Sequence, residues 1–192
     1  MKQISSIIYL VSFCVCSALF ATNQPVIPGY KWSFPKDHGA HPAFQTEWWY
    51  YTGHLTSQTG DTFGFELTFF RQAQELPTVS SRWQVDQLYL AHFAMTDDQQ
   101  DAFYHDSRTT RPAFDMAGAG EGRLDVHNGD WYVKEIENRI HIHANMPEAS
   151  MTLQLVAAKP PVLQGEQGYS KKSNKVNMAS YYYTMPKLTG TG

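Results

Sequence analysis

Cysteine is nearly absent from this chain. Of 192 residues only Cys14 and Cys16 are cysteines, and both fall in the apolar stretch at the very start. Beyond them no disulfide can form and no thiol can act as nucleophile, so the fold must rest on its core alone. Charge is also scarce, at 17% of residues with a formal net charge of -3. Without a basic cluster to displace counterions, nucleic acid is not the expected partner. No G-x-S-x-G occurs, which removes support for a nucleophile-elbow hydrolase. The "AGAGEG" stretch lacks the G-x-G-x-x-G spacing and a helix after it, so it is not read as a phosphate cradle. No segment holds a helical period over three turns.

What is present is aromatic: 14% of residues are Phe, Trp or Tyr, a composition suited to strands and apolar pockets. The chain begins with Met1-Lys2 and then "ISSIIYLVSFCVCSALFA", a short apolar run ending in small residues. Residues 1–21 read as a secretory signal peptide, which predicts a secreted or periplasmic protein. The alternative is an uncleaved membrane anchor, although the run is short for a span. Membrane proximity belongs to that alternative, and residues 22–192 form one domain. After the leader, "NQPVIPGYKWSFPKDHGAHPAFQ" has four prolines and two glycines and reads as an extended, looping lead-in.

Strand patterns follow. "EWWYYTGHL" places Trp48, Tyr50 and His54 on one face and Trp49 and Tyr51 on the other. Both faces are apolar, which calls for a second apolar region or a lipophilic ligand. "TFGFELTFF" alternates Phe63, Phe65, Leu67 and Phe69 against Gly64, Glu66, Thr68 and Phe70. The "TSQTGD" between them predicts an antiparallel hairpin. "QLYLAHFAM" puts His92 on a face with Leu88, Leu90 and Ala94. "RIHIHANM" and "SMTLQLVAA" alternate as well, and Tyr181–Tyr183 reads as one more aromatic strand. The fold class predicted is all-β, an antiparallel lipocalin-like barrel or sandwich, possibly incomplete at the C-terminus, where "KLTGTG" breaks off as another strand is due.

Several residues could carry chemistry. "DHGAHP" gathers Asp37, His38 and His41 in a proline-flanked loop, where a carboxylate can orient an imidazole for proton transfer. Glu47 opens the aromatic strand. Glu66, if its face lines a cavity, would be desolvated into a general acid; the plainer alternative is a solvent-facing glutamate. His54 and His92 lie on apolar strand faces, where hydrogen-bonded core histidines are the common outcome. "HIH" at 141–143 has strand spacing for two imidazoles on one side, but no third ligand is near, and neither metal nor other cofactor is expected.

Taken together, "FPKDHGAHPAFQTEWWYYTGHL", "GFELTFFR", "YLAHFAMTD", "KPPVLQGEQGYS" and "ASYYYTMPKL" resemble, in that order, the AttH-like family of bacterial proteins. That family includes carotenoid 1,2-hydratase (hydroxyneurosporene synthase, CrtC) and proteins labelled predicted secreted hydrolases. The resemblance implies a lipocalin-like half-barrel and acid/base chemistry on a long apolar substrate such as an isoprenoid or lipid. It marks Asp37, His38, His41, Glu47, Trp48, Trp49, Tyr50, Glu66, His92 and Tyr181–Tyr183 as family-signature positions without making them catalytic. Together with the residue reading, Glu66, His92, Asp37 and His38 are the catalytic candidates, and His41, Glu47, Trp48, Tyr50, His54 and Tyr182 the ligand-binding candidates. The alternative is a non-catalytic carrier of a lipophilic small molecule, or an inactive half. Family members continue into a second half with an Asp-His-Glu-Trp-type segment that nothing here matches, so a C-terminal half or partner chain is expected to complete the unit.

Overall fold

A computed structural model describes residues 23–74, 85–175 and 178–192. The expected signal peptide lies outside the described residues. No α-helix occurs among them; one 3-10 turn, Lys36–His38, interrupts the lead-in. The strands, in chain order, are β1 (Thr46–Thr56), β2 (Thr62–Ala73), β3 (Gln87–Asp97), β4 (Ala102–Thr110), β5 (Ala117–Ala119), β6 (Asp125–Asn128), β7 (Trp131–Ile136), β8 (Arg139–Asn145), β9 (Ser150–Ala157), β10 (Val162–Leu163), β11 (Tyr169–Lys171), β12 (Ala179–Tyr181), β13 (Tyr183–Thr184) and β14 (Leu188–Thr191).

Four long strands form one antiparallel sheet in the order β1-β2-β3-β4, and six shorter ones form another in the order β14-β9-β8-β7-β6-β5. Two small ribbons, β10 with β13 and β11 with β12, complete the described strands. The predicted hairpin is present: Thr56 pairs with Thr62 and the register runs back to Thr46 opposite Gln72. Its loop is tied by Ser57 and Asp61, whose backbone groups bond at 2.9 Å, and Gly60 takes a φ of 94° there, a value glycine adopts without a Cβ penalty.

The sheets pack face to face as a sandwich because each carries one apolar face. From β2 come Phe65, Leu67 and Phe69, from β3 Ala91 and Phe93; opposite them lie Val126, Trp131, Val133, Ile140, Ile142, Leu153 and Leu155. On β8, Ile140 and Ile142 point inward, as the alternation requires. On β3 the inward face is Tyr89, Ala91 and Phe93, so the expected grouping of His92 with Leu88 and Leu90 falls on the opposite, less buried face. The reason is register: β3 pairs Ala91 with Phe69 and Phe93 with Leu67, and residues opposite one another share a face.

One side of the sandwich is stapled shut. Asn128 on β6 accepts from Thr110 at 2.7 Å, and its amide donates to the Tyr89 carbonyl at 3.1 Å. The other side is open. β1 and β14, the two edge strands there, are not paired with each other, so no closed barrel forms. The expected single strand over Tyr181–Tyr183 is instead split: Tyr181 ends β12 and Tyr183 begins β13, and each pairs with a different ribbon partner. "KLTGTG" does form a strand, β14 against β9.

Candidate functional site: an acid/base cluster in an open cleft

The lead-in loop is held against the sandwich by a small set of bonds. Trp49, inward on β1, donates from Nε1 to the His38 carbonyl at 3.1 Å. Ala40 donates its N–H to the Gly120 carbonyl at 2.8 Å. Further back, the Tyr181 hydroxyl donates to the Ile27 carbonyl at 2.8 Å and accepts the Ile27 N–H at 3.1 Å. Trp32 donates to the Gln167 carbonyl and lies so close to Gly168 that a Cβ there would sit 2.4 Å from its Nε1.

That anchoring brings five ionisable side chains together. His41 Nδ1 lies 2.9 Å from Glu47 Oε1, which also accepts the His41 backbone N–H at 2.7 Å. Glu47 Oε2 accepts from Arg71 Nε at 2.8 Å. Arg71, 1% exposed, spends Nη2 on the carbonyls of His41 and Phe44, at 3.1 and 2.5 Å. On the other side of the ring, His41 Nε2 is 3.5 Å from Asp37 Oδ1. Asp37 is buried, and its Oδ2 accepts the Ser33 N–H at 2.7 Å. The Tyr30 hydroxyl sits beside Asp37, and its pKa is pushed up to about 12, first by burial and then by that carboxylate.

The hydrogen bond and charge of Glu47 lift the His41 pKa above its ordinary value; burial opposes this, and Asp37 adds to the rise. His38 moves the other way, because burial outweighs the pull of Glu135 and Asp37. It bonds through Nδ1 to the Tyr183 hydroxyl at 2.8 Å, and burial keeps that hydroxyl protonated well beyond its usual range.

These shifts have a definite sign. His41 binds its proton more tightly folded than unfolded, so its contribution is fully present below about pH 6.5 and is lost as pH rises through the folded pKa. The stability advantage of wild type over His41→Gln should therefore shrink as the pH rises above about 6.5. Urea titrations at several pH values measure this, and an advantage that grows with pH would refute it.

The cluster borders a cleft of about 1280 Å³ in the open seam between β1 and β14. Tyr51, Leu55, Met95, Leu153, Met185 and Leu188 supply its apolar lining. From Glu47 to Leu55 the strand rises about 26 Å, long enough for an extended hydrocarbon.

The family model for AttH-like proteins matches residues 25–192. The chain belongs to the AttH-like family. Among solved structures it is similar to a Nitrosomonas europaea protein assigned to AttH, with 38% sequence identity and a TM-score of 0.77. The match covers 88% of this chain and 51% of that one, so this chain spans about half the length of its solved relative. No curated protein matches.

Within this AttH-like chain the predicted site residues fall into two groups. Asp37, His41 and Glu47 come together, with His38 one step away on Tyr183. Trp48, half-buried against Tyr182 at 6.0 Å between ring centroids, and Tyr50, 50% exposed, border the cleft from the outer face of β1. His54 follows them, exposed. The inward face of the aromatic run is the other one, Trp49 and Tyr51. Glu66 and His92 do not reach the cleft. Glu66 is exposed on β2, and His92 is exposed on β3 with its ring near Phe70. Of the two readings of Glu66, its placement is the solvent-facing one, because on β2 it is Phe65, Leu67 and Phe69 that pack toward the opposing sheet. The "HIH" pair also stays apart from the cleft, with His143 bonded to Thr152 at 2.9 Å. Among the described residues no group of three His, Cys, Asp or Glu side chains, the Asp37–His41–Glu47 cluster included, is arranged to hold a metal ion.

Sequence reasoning missed Arg71 and Tyr30. Arg71 did leave a signal, since it continues the apolar series Phe63, Phe65, Leu67, Phe69 at the same spacing. A cation on an inward face requires a partner carboxylate, and the hairpin register supplies Glu47 directly opposite.

Proposed function

We propose that this AttH-like chain binds a long apolar molecule, an isoprenoid or lipid, in the seam cleft, and belongs to a hydratase- or hydrolase-type protein that acts on it by acid/base chemistry. The observation that carries the reading is the pairing, in one cleft, of an aromatic and aliphatic wall with an acid/base cluster that lines it. An imidazole oriented by Glu47 and facing Asp37 has the arrangement general acid-base catalysis uses. Export to the periplasm or medium, near a membrane, fits the apolar leader and such a guest. The exposed edges of β1 and β14 belong to the same proposal. A second half, as the length of the solved relative suggests, or a partner chain would cover the seam and complete the site.

A carrier without catalysis is the second reading, favoured by the placement of Glu66 and His92 outside the cleft. Both readings require a guest. Organic extraction of the folded protein followed by mass spectrometry should recover an isoprenoid or acyl lipid in near-stoichiometric amount. Repeated empty extracts, together with no uptake of added lipid, would refute both.

A further inference from the structure

The acid/base cluster lining the cleft specifies more than greasiness. His41 uses Nδ1 on Glu47, while its other nitrogen meets only Asp37 Oδ1 at 3.5 Å, the outer limit for an N–H···O bond. The side chain is 27% exposed and lines the cleft, so that donor has capacity left. Among the described residues, the charged or titratable groups around it are Asp37 and Glu47 on either side, Arg71 behind Glu47, and the Tyr30 hydroxyl beside Asp37. Two carboxylates balance one guanidinium and one imidazolium. An arriving anion would meet both carboxylates at close range, and an arriving cation would meet the imidazolium first.

We propose that His41 Nε2–H anchors a neutral oxygen, a hydroxyl or an ester or ketone carbonyl, on one end of the guest, whose hydrocarbon then runs along Tyr51, Leu55, Met95 and Leu188. The inference rests on the cleft reading above and narrows it: the ligand is an oxygenated lipophile, not a fatty-acid anion and not a bare hydrocarbon. When His41 loses its proton, Nδ1–H stays on Glu47 and Nε2 becomes an acceptor. An ester, which only accepts, then loses its partner, whereas an alcohol can turn round and donate.

The test is displacement of Nile red from the purified chain by dodecanol, methyl dodecanoate, dodecanoate and dodecane. Dodecanol and methyl dodecanoate should compete about tenfold or more better than dodecane at about pH 6, as expected for a hydrogen bond to a charged donor, with dodecanoate weaker than its ester. Raising the pH of the wild-type protein should remove the advantage of the ester and spare that of the alcohol. His41→Phe should abolish the preference for oxygenated probes. Equal competition by dodecane and dodecanol, strongest competition by dodecanoate, or an ester advantage that ignores pH would each overturn the inference while leaving the cleft reading intact. Failure of every lipophile, Nile red included, would overturn both.

Discussion

Replacing Arg71 by Met is expected to destabilise the protein by about 3–5 kcal/mol, the cost typical of breaking a buried ion pair from one side. The substitution strips Glu47 of the 2.8 Å bond to its Oε2 and leaves the His41 and Phe44 carbonyls without their donor. The methionine fills much of the volume, so the loss reports unpaired polar groups more than an empty space. Arg71→Lys keeps the charge but cannot reproduce the planar fork that reaches a carboxylate and two carbonyls at once, so a substantial part of the loss remains. Adding Glu47→Leu to Arg71→Met should restore part of the stability, because it removes the orphaned carboxylate. Urea unfolding of the two single variants and the double gives the coupling. Strictly additive losses, or a loss under about 1 kcal/mol for Arg71→Met, would show that the pair does not organise the loop.

Trp131→Ala should cost a comparable amount, about 3–5 kcal/mol, at the stapled side of the sandwich. Trp131 is fully buried. Its Nε1 donates to the Asn145 carbonyl at 2.7 Å, the Arg108 guanidinium lies 4.1 Å above its ring, and Phe93 meets it edge-on. Arg108 is itself bonded to Asp130, to the Asn128 carbonyl and to Asn145, so removing the ring loosens the polar knot that joins the two sheets. Trp131→Phe keeps most of the packing and should cost roughly half as much, the remainder being the lost N–H donor and the weaker ring face for the cation. Thermal and chemical unfolding would measure both variants. The two positions divide the molecule usefully: a Trp131 variant weakens the closed side, whereas an Arg71 variant reaches the cleft through His41.

The asymmetry between the two sides explains where a site can exist. Along the Asn128 staple the sheets are drawn together and side chains fill the space. Along β1 and β14, which are not paired with each other, the partly buried Leu55, Met95, Met185 and Leu188 line a gap instead. A packed core gives stability, and the open seam next to a cluster of titratable groups gives a place for a guest.

Much of the fold was legible because period-two alternation is a local property. β1, β2, β3, β8 and β9 announce themselves by alternating residues, and the β1–β2 hairpin by its polar turn. The short strands were not: "DVHN" and "AGA" are too brief to show a period, and "AFYHDSRTT" in β4 alternates half-buried with exposed residues, with Phe103 exposed. In the site, Asp37, His38 and His41 could be grouped from proximity in sequence, and Glu47 could be suspected. Tyr30 and Arg71 could not be joined to them without the fold.

From the chain alone came the all-β class, the family resemblance, the lead-in loop and the β1–β2 hairpin, since each depends on spacing or on a turn. Tertiary structure alone decided that Trp49 and Tyr51 face inward, that Glu66 and His92 face away, and that the sandwich opens between β1 and β14. A strand with two apolar faces is symmetric to sequence reasoning; only the sheet packed against one of them breaks that symmetry.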